Sequence, residues 1–74
     1  MNEREDIRTR LYKHNLTFNW LIDMLRYHDI VTTSSIISGI FAGTRNGKKA
    51  DEIVSESQNI LDRYEAYLEK EVAG

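Results

Sequence analysis

An all-α fold of four helices is predicted for this 74-residue chain, and three observations predict it. Apolar residues recur at three- and four-residue spacings along the whole length, the period of helices that bury one face. The sequence contains no proline, so no residue of fixed φ and missing N–H interrupts those stretches. Asn2, Thr17 and Thr32 or Thr33 stand in front of three of them, and short polar side chains of this kind accept hydrogen bonds from the free N–H groups of a first helical turn.

The first helix is expected over Glu3–Lys13, capped by Asn2, with Glu5 three residues later as in a capping box. Glu3, Glu5 and Asp6 suit the positive end of the helix dipole, and Ile7 and Leu11 mark the buried stripe. The second begins after Thr17 and ends near Tyr27. Phe18, Leu21, Ile22 and Leu25 make its apolar stripe, and Leu16 with Leu21 occupy hydrophobic-staple positions. Trp20, Met24 and Tyr27 form a second stripe, either core against the last helix, the favoured reading, or a second partner surface, since Trp and Tyr favour interfaces. HDIV turns the chain, with Ile30 as a buried anchor, and a short third helix ends at Gly43, a residue suited to a left-handed terminus. The turn-rich, basic loop TRNGKK follows. The fourth helix should run over about 49–71, roughly 30 Å at 1.5 Å per residue. That is long for so small a domain, and Tyr64, Tyr67 and Leu68 near its end are either a final packing turn or a surface for a partner or a second copy.

Composition narrows the function classes. A chain of this length, read as one domain over residues 1–74, buries only about 60% of the surface its unfolded state exposes. Room for a deep substrate cavity is lacking, and contact with a macromolecule is expected rather than catalysis. There is no cysteine, which removes disulfides and thiolate metal sites. His14 and His28 have no acid or thiolate constellation around them in the sequence, and Ser34 and Ser35 have no identifiable base, so neither metal, cofactor nor catalytic residues are expected. No apolar run reaches the roughly 18 residues of a membrane span, and MNEREDIRTR is too charged for a secretory signal. A cytoplasmic protein without membrane or small-molecule partners is expected. The net charge of −2 conceals a split: residues 1–50 carry eight Lys/Arg against five Asp/Glu, and residues 51–74 carry two against seven. The acidic total disfavours broad affinity for nucleic acid, while the split leaves room for a basic face on the N-terminal part.

Two short helices joined by a turn, the second capped and ending at glycine, suggest a helix-turn-helix at about 17–43. The segment IISGIFAGTRNG resembles the phage repressor and Cro pattern, in which an apolar residue, a serine, a variable residue and another apolar residue lead to a terminal glycine. Those positions are Ile37, Ser38, Gly39, Ile40 and Gly43. LTFNWLIDMLRYHDIV is similar to that family's first motif helix and turn, and the resemblance spans 16–47. Asp29 stands where the family usually has its turn glycine, and the stretch from Ile30 to Ser38 is longer than the commonest form. With KADEIV opening the fourth helix, the chain is most similar to the modulator-of-repression antirepressors, small helix-turn-helix regulators of temperate phages of Gram-positive bacteria.

The helix in TTSSIISGIFAG contains no Arg, Lys, Asn or Gln, the side chains that make bidentate contacts to base edges. With Ile37, Ile40 and Phe41 turned to the core, the other face presents Thr33, Ser34 or Ser35, Ile36 and Gly39; Thr33, Ser34, Ser35, Ile36, Gly39 and Ile40 are the candidate partner-contact residues. Three readings of that face stay open: contact with a protein, weak readout of DNA through hydroxyls and Ile36, or simple capping with Ile36 in the core. Arg45, Lys48 and Lys49 are candidate contacts to phosphates or to an acidic partner, extended by Arg8, Arg10 and Lys13, or a solvated basic loop. The resemblance implies an antirepressor in the bacterial host cytoplasm. It would bind the helix-turn-helix DNA-binding domain of a partner repressor and block operator binding in a lysis–lysogeny switch. The alternative is a Cro-like dimer that binds operator DNA directly.

Overall fold

Capping chemistry sets the boundaries of the helices. In the computed structural model, which describes residues 2–73, the Asn2 side chain accepts from Glu5 N at 2.8 Å, Thr17 from Trp20 N at 3.1 Å and Thr33 from Ile36 N at 3.3 Å. The chain forms α1 (Glu3–Lys13), α2 (Phe18–Tyr27), α3 (Ser34–Ala42) and α4 (Lys48–Ala73). The first three bounds match the sequence expectation. α4 is longer than the expected 49–71. It starts at Lys48, where Asp51 N donates to Gly47 O at 3.0 Å, and no helix-breaking residue stops it before Ala73.

α1, α2 and α3 end with one device. A residue turns into the left-handed region, and the next N–H returns to a carbonyl five residues back. The left-handed residues are Asn15 (φ 58°), Asp29 (φ 63°) and Gly43 (φ 86°). The returning bonds are Leu16 N to Leu11 O at 2.8 Å, Ile30 N to Leu25 O at 2.9 Å and Thr44 N to Gly39 O at 2.9 Å. Asn and Asp tolerate this conformation better than other residues with a Cβ, so the turns close without glycine at two of the three sites.

Ile7 and Leu11 of α1, Leu21 and Leu25 of α2, Ile37, Ile40 and Phe41 of α3, and Ala50, Ile53, Val54, Ile60 and Leu61 of α4 form one core with Ile30. α4 packs on α1 and α2, while α3 packs on α2 and α1. The rings of Phe18 and Phe41 stack with centroids 5.7 Å apart. Ser57 is buried on the core side of α4, and its hydroxyl donates back to Ile53 O at 2.7 Å, so no polar atom is stranded there. Trp20 and Met24 pack against the core as expected, but Tyr27 is 83% exposed. The half-buried stripe continues from Trp20 and Met24 to His28, which pairs with Glu56 of α4, and leaves Tyr27 on the exposed side of α2 with Asp23. The 26 residues of α4 give about 39 Å of helix, close to the longest dimension of 41 Å. Among the described residues, no helix is long and apolar enough to cross a membrane.

Candidate functional site

α3 has two unlike ends. Its C-terminal half is buried through Ile37, Ile40 and Phe41, and its last carbonyls are held from α1. Arg4 Nη1 donates to Ile40 O at 2.9 Å and to Arg45 O at 3.2 Å, and Arg8 Nη1 donates to Phe41 O at 3.4 Å. These guanidinium groups satisfy carbonyls that a helix C-terminus leaves open and complement its partial negative charge. The N-terminal half faces outward. Thr33, Ser34 and Ser35 are exposed, followed on the same side by Ser38 and Ala42.

The structure divides the candidate contact residues. Thr33, Ser34 and Ser35 stand together at the exposed end of α3, although the Thr33 hydroxyl is engaged in capping Ile36 N. Ile36 is half-buried and packs against the core, so it is shared between the core and the surface rather than central to a free face. Gly39 is also half-buried, because the Arg45 side chain lies across it. A Cβ added at Gly39 would come within 3.0 Å of Arg45 Cγ and Cδ. Ile40 is corrected outright. It is 1% exposed, since it follows Ile37 by three residues and shares that residue's core-facing side of the helix.

The basic candidates also separate. Arg45 is exposed at its head but uses its stem to cover Gly39, while Lys48 and Lys49 are exposed in the first turn of α4. Lysines there oppose the helix dipole, which favours acids at that end, so their placement costs stability and suits an anionic contact. Arg8 and Arg10 do not extend this patch. Arg8 holds Phe41 O. Arg10 is enclosed by Asp6, Asp62 and Glu65 at 3.4, 2.6 and 2.7 Å. Its hydrogen bond to Glu65 is the main reason its pKa rises further, while the same bond pulls the Glu65 carboxyl down to about 2. His14 Nε2 stands 2.8 Å from Glu65 Oε2. This cluster pins α1 to α4. His28 pairs with Glu56 of α4 at 3.2 Å rather than with neighbouring Asp29.

Sequence reasoning missed one exposed apolar side chain leading into α3: Val31 is 79% exposed, and Tyr27 at the end of α2 is exposed as well. In the sequence Tyr27 stands between core and partner surface within its stripe, with core favoured, and Val31 carries no assignment beside the buried anchor Ile30. Only the capped, outward start of α3 two residues after Val31 hints at its exposure. Among the described residues no cluster of three or more His, Cys, Asp or Glu could hold a metal ion. The face offers hydroxyls, small side chains and exposed apolar groups, which suits surface contact.

No family model, no curated protein and no solved structure matches this chain.

Proposed function

We propose that the chain is a phage-type transcriptional regulator in which α2 and α3 act as a helix-turn-helix, and that it works as an antirepressor. α3 and its approach bind the DNA-binding domain of a partner repressor and keep that domain off its operator. The observation that carries this is the character of the exposed surface at α3. The helix presents Ser34, Ser35 and Ser38 without any base-reading side chain, and Val31, three residues before it, is left in water at 79% exposure. Burying an aliphatic side chain of this size yields roughly 1.5–3 kcal/mol, a gain that a protein surface offers and a phosphate backbone does not. The left-handed Asp29 supports the motif assignment, since the turn glycine of that motif is suited to the same conformation.

The test is a titration of this chain, a helix-turn-helix repressor encoded beside it and that repressor's operator, in all pairwise and three-way mixtures. Addition of the chain should release the operator from the repressor, and Val31→Asp should abolish the release without changing helix content. A Val31→Asp variant that releases operator as well as the wild type would refute the assignment of this face. Exposed Lys48 and Lys49 favour a second function, direct operator binding in the Cro manner. A salt-sensitive mobility shift by the chain alone would establish that alternative in place of antirepression.

A further inference from the structure

We propose that the outer ridge of α4 pairs with the same ridge of a second copy of this chain, antiparallel about a two-fold axis at Tyr67. Arg63, Tyr67 and Glu71 stand four residues apart and are all exposed. They therefore form one i, i+4 ridge of the kind that packs into a neighbouring helix. Beside the ridge lies a groove lined by Met24, His28, Ile60, Arg63, Tyr64 and Tyr67. Tyr67 is 60% exposed there, a large aromatic left in water on a helix that spans the longest dimension of the molecule.

The charges on the ridge select the occupant. With Tyr67 on the axis, Arg63 of each copy lies opposite Glu71 of the other, because each stands four residues from Tyr67 on opposite sides. Neither charge has an opposite charge three or four residues away on its own helix: Arg63 is flanked at those spacings by Asn59, Ile60, Ala66 and Tyr67, and Glu71 by Tyr67, Leu68 and Gly74. A ridge positive on one side of an aromatic centre and negative on the other is complementary to itself when reversed. That is the requirement of an isologous two-fold interface. Tyr67 meets its copy at the centre, where interface aromatics contribute most, and the two ion pairs form the rim. The pairing is independent of what α3 binds.

The experiment is analytical ultracentrifugation of the full chain over a concentration series, with circular dichroism on every variant. Wild type should show a monomer–dimer equilibrium. Tyr67→Glu should raise the dimer Kd about a hundredfold. Arg63→Glu should raise it about tenfold, since it sets two pairs of like charges at the rim. The double variant Arg63→Glu with Glu71→Arg should return to the wild-type Kd, because the reversed charges match again. A chain that stays monomeric to about millimolar concentration, or a double variant no tighter than Arg63→Glu alone, would overturn the proposal. Both charge positions are exposed, so this second comparison decides the matter even where Tyr67→Glu loses helix.

Discussion

Acid titration tests the cluster that fastens α1 to α4, and Glu65 is its centre. Arg10 Nη2 lies 2.7 Å from Glu65 Oε1, and Arg10 Nε lies 3.2 Å from Oε2. The Arg10 hydrogen bond, opposed by partial desolvation and reinforced by His14, pulls the carboxyl from 4.5 to about 2. A carboxylate with a lower pKa in the folded than in the unfolded state adds stability that is complete above the unfolded value. That stability disappears as pH falls through the folded value, so the window runs from pH 4.5 down to about 2. The full shift corresponds to about 3 kcal/mol by linkage. The Glu65 side chain is 34% exposed, however, and solvent screening reduces the expected contribution to about 1–2 kcal/mol. Urea unfolding of wild type and Glu65→Gln, measured in steps from about pH 6 to about pH 2, separates this group from all other carboxylates. The variant should be less stable at neutral pH by about 1–2 kcal/mol, and the gap should close as the wild-type carboxylate takes up its proton. A gap that persists undiminished to the bottom of the range would show that Glu65 is not ionised through Arg10 in the folded state.

Four further outcomes are expected. Gly43→Ala should cost about 1–2 kcal/mol in urea unfolding, all of it from the backbone, because φ is 86° and an added Cβ meets nothing within 4 Å. Thr32→Val should raise stability by about 1 kcal/mol, since the Thr32 hydroxyl is buried without a partner among the described residues; a loss on thermal melting would mean that the hydroxyl is satisfied. Arg4→Met should cost about 1.5–3 kcal/mol by stripping the bonds to Ile40 O and Arg45 O, and hydrogen exchange should locate the loosening at the C-terminal end of α3. Replacing Lys48 and Lys49 together by alanine should leave the fold intact by circular dichroism. If operator DNA is the target, the slope of log affinity against log salt should fall by about 2.

The helix boundaries were legible because their punctuation is local chemistry. Asn2, Thr17 and Gly43 announce their roles by residue type, and the structure places each cap there, while the cap of α3, open between Thr32 and Thr33 in the sequence, is Thr33. Two further stops were written in the same local language and were less obvious. His14-Asn15-Leu16 and His28-Asp29-Ile30 are the same kind of triplet, an Asn or Asp that turns left-handed followed by an apolar residue that tucks back. What local reasoning could not supply was tertiary. Arg10 belongs to a basic helix face until α4 brings Asp62 and Glu65 against it. Gly39 looks open until Arg45 folds over it. Ile36 stands at the edge of the core-facing side of a nine-residue helix, one turn before Ile40, where a small rotation decides how much of it is covered. Tyr27 belongs to a stripe that residue type alone leaves between core and surface, and only the fold puts it and Val31 outside.

The small side chains of α3 bear on how such a helix can bind. Ser and Gly lose little rotamer freedom when a surface closes over them, whereas Arg, Lys and Gln lose up to about 2 kcal/mol each. α3 therefore contributes shape, closely approachable backbone and hydroxyls, and the reach across the contact must come from the other side. A helix equipped to read bases carries the long polar side chains that α3 lacks. The antirepressor proposal therefore pairs complementary surfaces, with the repressor's reading residues lying over the serines of α3 instead of over base edges. Arg4 and Arg8 fix the C-terminal carbonyls of α3 from below, so the outward end is presented on a rigid support and needs little ordering on contact. Val31 then adds apolar area that hydroxyls alone do not provide. A surface with those properties loses its advantage on DNA, where affinity comes first from charges and α3 has none.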